Sequence, residues 1–146
     1  MSSAISAALR RFVEERAHQC CEYCLLPMSV AFLRVHEVDH VIALKHGGAT
    51  DEANLALACW RCNRHKGTDL TSFDPQTGEL TRLFSPRTQL WREHFALESA
   101  VIIGQTAEGR TTVQLLRLAT PERTAERQRL LSVGLYGLPP FDDSAP

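Results

Sequence analysis

Ile5, Leu9, Phe12 and Val13 recur at helical spacing, and Arg10, Arg11, Glu14 and Glu15 cover the other side. This pattern predicts an amphipathic helix ending near Ala17. From residue 31 to 44 the sequence AFLRVHEVDHVIAL is dense in β-branched and apolar residues and predicts a strand, which Gly47 and Gly48 break. Beyond a polar loop containing Asn54, LALAC predicts a second short strand. It leads into a short helix, RCNRHKG, closed by Gly67. SFDPQTGELTRLF predicts a hairpin with Pro75 and Gly78 in its turn. Leu90, Trp91, His94 and Phe95 mark one face of a helix, SAVIIG predicts a strand, and a helix is predicted over 111–118. Thr120 caps another helix, with Pro121 at its first position. No repeat or linker interrupts the order. It reads as one α+β domain over 1–138, with a core at about 20–70 and a supporting extension at about 71–138. The end, PPFDDSAP (139–146), is expected to be disordered.

Composition narrows this picture only slightly. A chain of 146 residues with 44% apolar and 23% charged residues suits one ordinary globular domain. The net charge of −1 removes bulk electrostatics as a means of holding a polyanion, so local charge must serve. No apolar run approaches the ~20 residues of a membrane helix. Charges also fall where a signal peptide needs its apolar stretch, so a cytoplasmic protein with no membrane partner is expected.

The cysteines change the picture more. Four of the five form two Cys-x-x-Cys pairs, Cys21/Cys24 and Cys59/Cys62, with 34 residues between them. Each such turn aims two thiolates at one point, and two turns complete a tetrahedron about 2.3 Å around a zinc ion. The intervening length suits a β-hairpin that returns the second pair to the first. Four thiolates leave no open coordination position, so the zinc is expected to be structural. Cys20 is unmatched and reads as a bystander.

Residues 36–40, His-Glu-Val-Asp-His, match the HExxH pattern of zinc proteases in letters only. That motif needs a helix to bring its histidines onto one face. In a strand they lie roughly 13 Å apart.

With CEYC before it and ATDEANLALACWRCNRHKG after it, the stretch VDHVIALKHGG resembles the HNH endonuclease family, over about residues 21–67. The resemblance implies a ββα-metal, treble-clef-like core built around the structural zinc, with an N-terminal helix and a mixed hairpin and helical C-terminal extension. It implies that Asp39 is a ligand of a catalytic divalent ion and that His40 is the general base for the attacking water. Asn54 would tie down the connecting loop and help orient the histidine. Asn63 would offer its side-chain oxygen to the metal, at a position where the family name has histidine. The residue types suit the chemistry. A hard cation on oxygen ligands neutralises charge developing on a phosphodiester, which favours Mg2+ or Mn2+ at this second site. Histidine titrates near neutral pH, as a base must.

Several neighbours have two readings. Glu37 shares a strand face with Asp39 and either extends the metal site or is a solvated carboxylate. His36 reads as structural or exposed. Asp39 and His40 are adjacent, so a regular strand sends them to opposite faces. Both reach one phosphate only where the strand twists, bulges or ends.

Arg61, Arg64, His65 and Lys66 cluster around the short helix with few acids nearby in sequence; Arg61, Arg64 and Lys66 are phosphate-contact candidates. Arg82, Arg87 and Arg92 are a second basic group. Trp60 and Trp91 read as core. The expected activity is metal-dependent hydrolysis of DNA, with RNA also open as a partner. The alternative is a zinc-stabilised nucleic-acid-binding module without catalysis, which has no need of Asp39 and His40.

Overall fold

The computed structural model describes residues 4–139, and the expectation of a disordered tail falls on 139–146, almost wholly outside them. Helix α1 (Ala7–Arg16) is capped by Ser6, whose side chain accepts from Leu9 N, and it buries Val13. A first antiparallel pair follows: β1 (Glu37–His40) and β2 (Leu55–Ala58), in the register Glu37↔Ala58 to His40↔Leu55. Helix α2 (Trp60–Lys66) begins at once, with the Cys59 sulfur accepting from Cys62 N at its cap. Gly67, at φ 53°, ends it in the left-handed region.

The extension is a second pair, β3 (Thr71–Phe73) with β4 (Leu80–Arg82), then the single turn α3 (Trp91–His94). A third pair, β5 (Phe95–Glu98) with β6 (Val101–Gly104), and helices α4 (Ala107–Leu115) and α5 (Pro121–Ser132) complete it. This is the α+β arrangement the sequence predicts. Thr120 caps α5 through Arg123 N, and Pro121 opens it, as expected.

Three boundaries differ from the sequence reading. The strand expected over 31–44 is only Glu37–His40, because β2 offers four residues to pair with. Phe32, Leu33 and Val35 are left exposed ahead of it. Helix α3 stops after one turn, since Phe95 is taken by the unforeseen strand β5. Helix α4 starts four residues before 111, where the Thr106 hydroxyl caps it through Gly109 N.

Two buried clusters hold these elements. Val13, Ala17, Leu55 and Leu57 pack α1 against β2. The larger cluster joins Tyr23, the paired cysteines and Ala58 to Phe84, Trp91, Phe95, Ile102, Leu116, Leu118 and Tyr136. The extension therefore shares its core with the cysteine turns. Trp91 donates to Tyr23 O and the Tyr136 hydroxyl to Cys24 O.

Candidate metal and nuclease site

The sulfurs of Cys21, Cys24, Cys59 and Cys62 lie within 4.8 Å of one another, and all four residues are buried. None is in a disulfide. Backbone N–H groups of Cys24 and Cys62 point at the Cys21 and Cys59 sulfurs, 3.4 and 3.5 Å away. Tetrahedral Zn–S bonds of about 2.3 Å require sulfurs about 3.8 Å apart. The Cys24–Cys59 separation of 3.6 Å meets that, so the cluster is consistent with a zinc site. Burial pushes the Cys21 and Cys62 thiols far up, whereas hydrogen bonds from its three neighbours pull Cys24 down. Cys20 is outside the cluster, in an isolated bridge to Pro27.

Strand β1 carries the next layer. Asp39 is 4% exposed, and its Oδ2 accepts from the Tyr23 hydroxyl at 2.9 Å. Lys66 Nζ lies 3.2 Å from each of its oxygens and donates to His40 O as well. Burial raises the Asp39 carboxyl above its ordinary range, against the pull of Lys66 and Tyr23. Tyr23 is in turn pushed well up, by burial and then by Asp39. On the same strand face Glu37 is exposed and accepts from Asn63 Nδ2 at 2.7 Å.

His40 points the other way, its Nε2 2.9 Å from the Thr50 hydroxyl. The last strand pair is His40↔Leu55; one further bond in register, Val41 N to Asn54 O at 2.8 Å, follows before residues 41–42 bend, and no bulge interrupts Asp39 and His40. The following loop is closed by Asn54. Its Oδ1 accepts from Ile42 N at 2.9 Å, and Nδ2 donates to Ile42 O and Ala49 O, both at 2.8 Å. Gly48 fits under this clasp because it has no side chain: a Cβ there would fall 1.7 Å from Ile42 O. Asp51 starts the turn before Asn54 by accepting from Ala53 N.

His36 is fully buried and donates from Nε2 to Leu26 O, so it is structural. His36 flanks β1 and His40 ends it, unlike the paired histidines of a helical HExxH site.

The basic residues need correction. Lys66 is buried on Asp39 rather than displayed, because α2 turns that face inward together with Cys62. Arg61 does face acids, brought by α5: Glu126 at 3.3 Å and Glu122 at 3.8 Å. Trp60 is only half-buried, and not core. The guanidinium of Arg34 lies 4.8 Å above its ring and that of Arg64 6.0 Å away. Trp91 is buried, as expected. Arg87 pairs with buried Glu22, whose other oxygen accepts from Leu57 N.

Residues 21–69 match the HNH endonuclease family. That is 49 of 146 residues, about a third of the chain, and it spans both cysteine pairs, β1, β2 and α2. No curated protein and no solved structure matches the chain significantly. The HNH segment indicates a nuclease or nucleic-acid-binding role. Among the described residues no helix is long and apolar enough to cross a membrane.

The sequence reading missed Tyr23, Thr50 and Glu22. Tyr23 and Glu22 lie inside the first Cys-x-x-Cys turn, where a spacing argument registers only the sulfurs. Thr50 reads as an ordinary loop hydroxyl until the loop folds back over β1.

Proposed function

We propose that the chain is a divalent-metal-dependent endonuclease acting on DNA, with the HNH segment as its catalytic unit. The observation that carries this reading is the grouping around one strand end: Asp39 and Glu37 on one face of β1, Asn63 on the facing helix, and His40 in the last strand pair.

Two carboxylates and an amide are oxygen donors of the kind a hard divalent ion takes. Asp39 and Asn63 would hold that ion, Mg2+ or Mn2+, which when bound neutralises charge at the scissile phosphate. His40 takes the proton from the attacking water. In the tautomer that donates Nε2–H to the Thr50 oxygen, Nδ1 carries the lone pair that serves as base. Asn54 holds the loop that carries Thr50 and so sets the angle of the imidazole. Tyr23 and Lys66 favour the carboxylate form of Asp39 against the upward push of its burial. Arg64 and Arg34, gathered at Trp60, are the exposed cations best placed to bind flanking phosphates. Arg61 serves there only if Glu122 and Glu126 release it.

One observation favours the second reading, a nucleic-acid-binding module without catalysis. Both oxygens of Asp39 are already engaged by Lys66, and one also by Tyr23. Plasmid cleavage with Mg2+ or Mn2+ separates the two. The parent should cut and His40→Ala should not, while the variant keeps its zinc and its fold. A parent that binds DNA or RNA yet never cuts with any divalent ion establishes the binding module instead.

A further inference from the structure

Arg123 lies 61 residues beyond Cys62, in the first turn of α5, yet its guanidinium ends on the cysteine cluster. Nη2 is 3.2 Å from Cys62 Sγ and 3.8 Å from Cys59 Sγ. Nη1 donates to Leu116 O at 2.9 Å and to Arg117 O at 3.4 Å. The residue is 6% exposed, and among the described residues no carboxylate pairs with it. A cation so enclosed is costly unless negative charge faces it. Carbonyl oxygens answer its donors, but only the sulfurs offer a full charge. Four thiolates around one Zn2+ carry a net charge of −2, here in a site that water scarcely reaches. The two deficits cancel in part where they meet.

We propose that Arg123 is a positioning residue of the metal centre: its N–H···S contacts to Cys59 and Cys62 offset the thiolate charge and slow metal loss. By reciprocity, the metal strengthens docking of the C-terminal extension that carries Arg123. The proposal rests on the zinc assignment and is independent of the nuclease reading.

Arg127 supplies the control. It sits one turn further along α5, is 3% exposed, and donates to Ala100 O, Leu118 O and the Thr124 hydroxyl; among the described residues it makes no hydrogen bond to sulfur, although its charge also acts through space on Cys24 and Cys62. The full chain is loaded with zinc, and release to an excess of colorimetric chelator is timed for the parent, Arg123→Gln, Arg123→Lys and Arg127→Gln. Arg123→Gln should lose zinc about tenfold faster or more, the usual effect of removing a partner hydrogen-bonded to a metal ligand. Arg127→Gln should be destabilised yet release zinc at nearly the parent rate. In the cobalt-loaded chain, the sulfur-to-cobalt charge-transfer band should move to lower energy only in the Arg123 variants, because an N–H···S bond stabilises the sulfur lone pairs. Should Arg123→Gln not fold, Arg123→Lys keeps the charge but loses the planar fork, and its band and release rate decide. Parent-like release and an unmoved band in the Arg123 variants overturn the proposal. So does an equal change in Arg127→Gln, which would make Arg123 an ordinary packing residue.

Discussion

The Lys66 ammonium lies 3.2 Å from both carboxylate oxygens of Asp39, with the two side chains only 3% and 4% exposed. Neither charge has water to fall back on, so each depends on the other. Removing one partner of such a pair costs about 3–5 kcal/mol, because the survivor is a buried unpaired charge. Lys66→Met should therefore lose that much stability, and Asp39→Asn combined with Lys66→Met should lose less than the two single losses added. Urea unfolding of the three variants checks this, and strict additivity would show that the groups do not act as a pair.

Asn54 makes three hydrogen bonds across its loop. At about 1 kcal/mol each, Asn54→Ala should cost about 3 kcal/mol. It should also loosen Thr50 and His40, so any cleavage rate should fall more than stability alone explains. Gly48→Ala should act in the same direction, since its Cβ overlaps the Ile42 carbonyl. Amide exchange at Ile42 and Asn54 reports the loosening directly.

Asp74 ties the turn between β3 and β4 to α4. Two of its bonds come from Arg110, at 3.0 and 2.8 Å, and others from Gln76 N and the Thr77 hydroxyl. Hydrogen bonds from Arg110, then those of Gln76 and Thr77, hold its carboxyl well below the ordinary range. A depressed folded value means the stabilisation is complete above the unfolded value of about 3.9 and fades as pH falls below it. Asp74→Asn should thus lower the urea midpoint at pH 7, and the gap to the parent should narrow towards pH 2. A gap unchanged across that range would detach the effect from titration.

The cysteine cluster leads to a stoichiometric expectation. The chain should bind one zinc, and Cys62→Ser should bind it far more weakly, because a thiolate ligand is lost and Arg123 loses its nearer sulfur. Strong chelation should abolish cooperative unfolding in the cluster around Tyr23, Phe84 and Trp91. Metal analysis and the fluorescence of buried Trp91 follow both.

If nucleic acid is the partner, Arg64→Ala should weaken binding about equally for all sequences and lower the salt slope by about one unit. Arg61→Ala should do less, because Glu122 and Glu126 already hold that guanidinium. Equilibrium binding at several salt concentrations measures both slopes.

Local chemistry made much of this legible in advance. The metal turns could be read because Cys-x-x-Cys spacing is itself a geometry, and bringing the four sulfurs together needs only a hairpin between the pairs. α2 and α5 could be read because their end signals, Gly67 for one and Thr120 with Pro121 for the other, are local in sequence. The turn at Gly78 was equally local.

What the tertiary structure alone decided was partnership. Strand β1 ends at His40 because β2 is four residues long, a limit imposed by the other strand. Lys66 is buried, Arg61 is matched by acids and Trp60 lies under Arg34 because α2 is surrounded by β1, α5 and the loop before β1. Arg123 meets sulfur across 61 residues for the same reason. Composition near a residue in sequence says little about the charges that will face it. Those arrive from distant segments whose docking is driven by apolar burial, and burial does not dictate which charges it brings along.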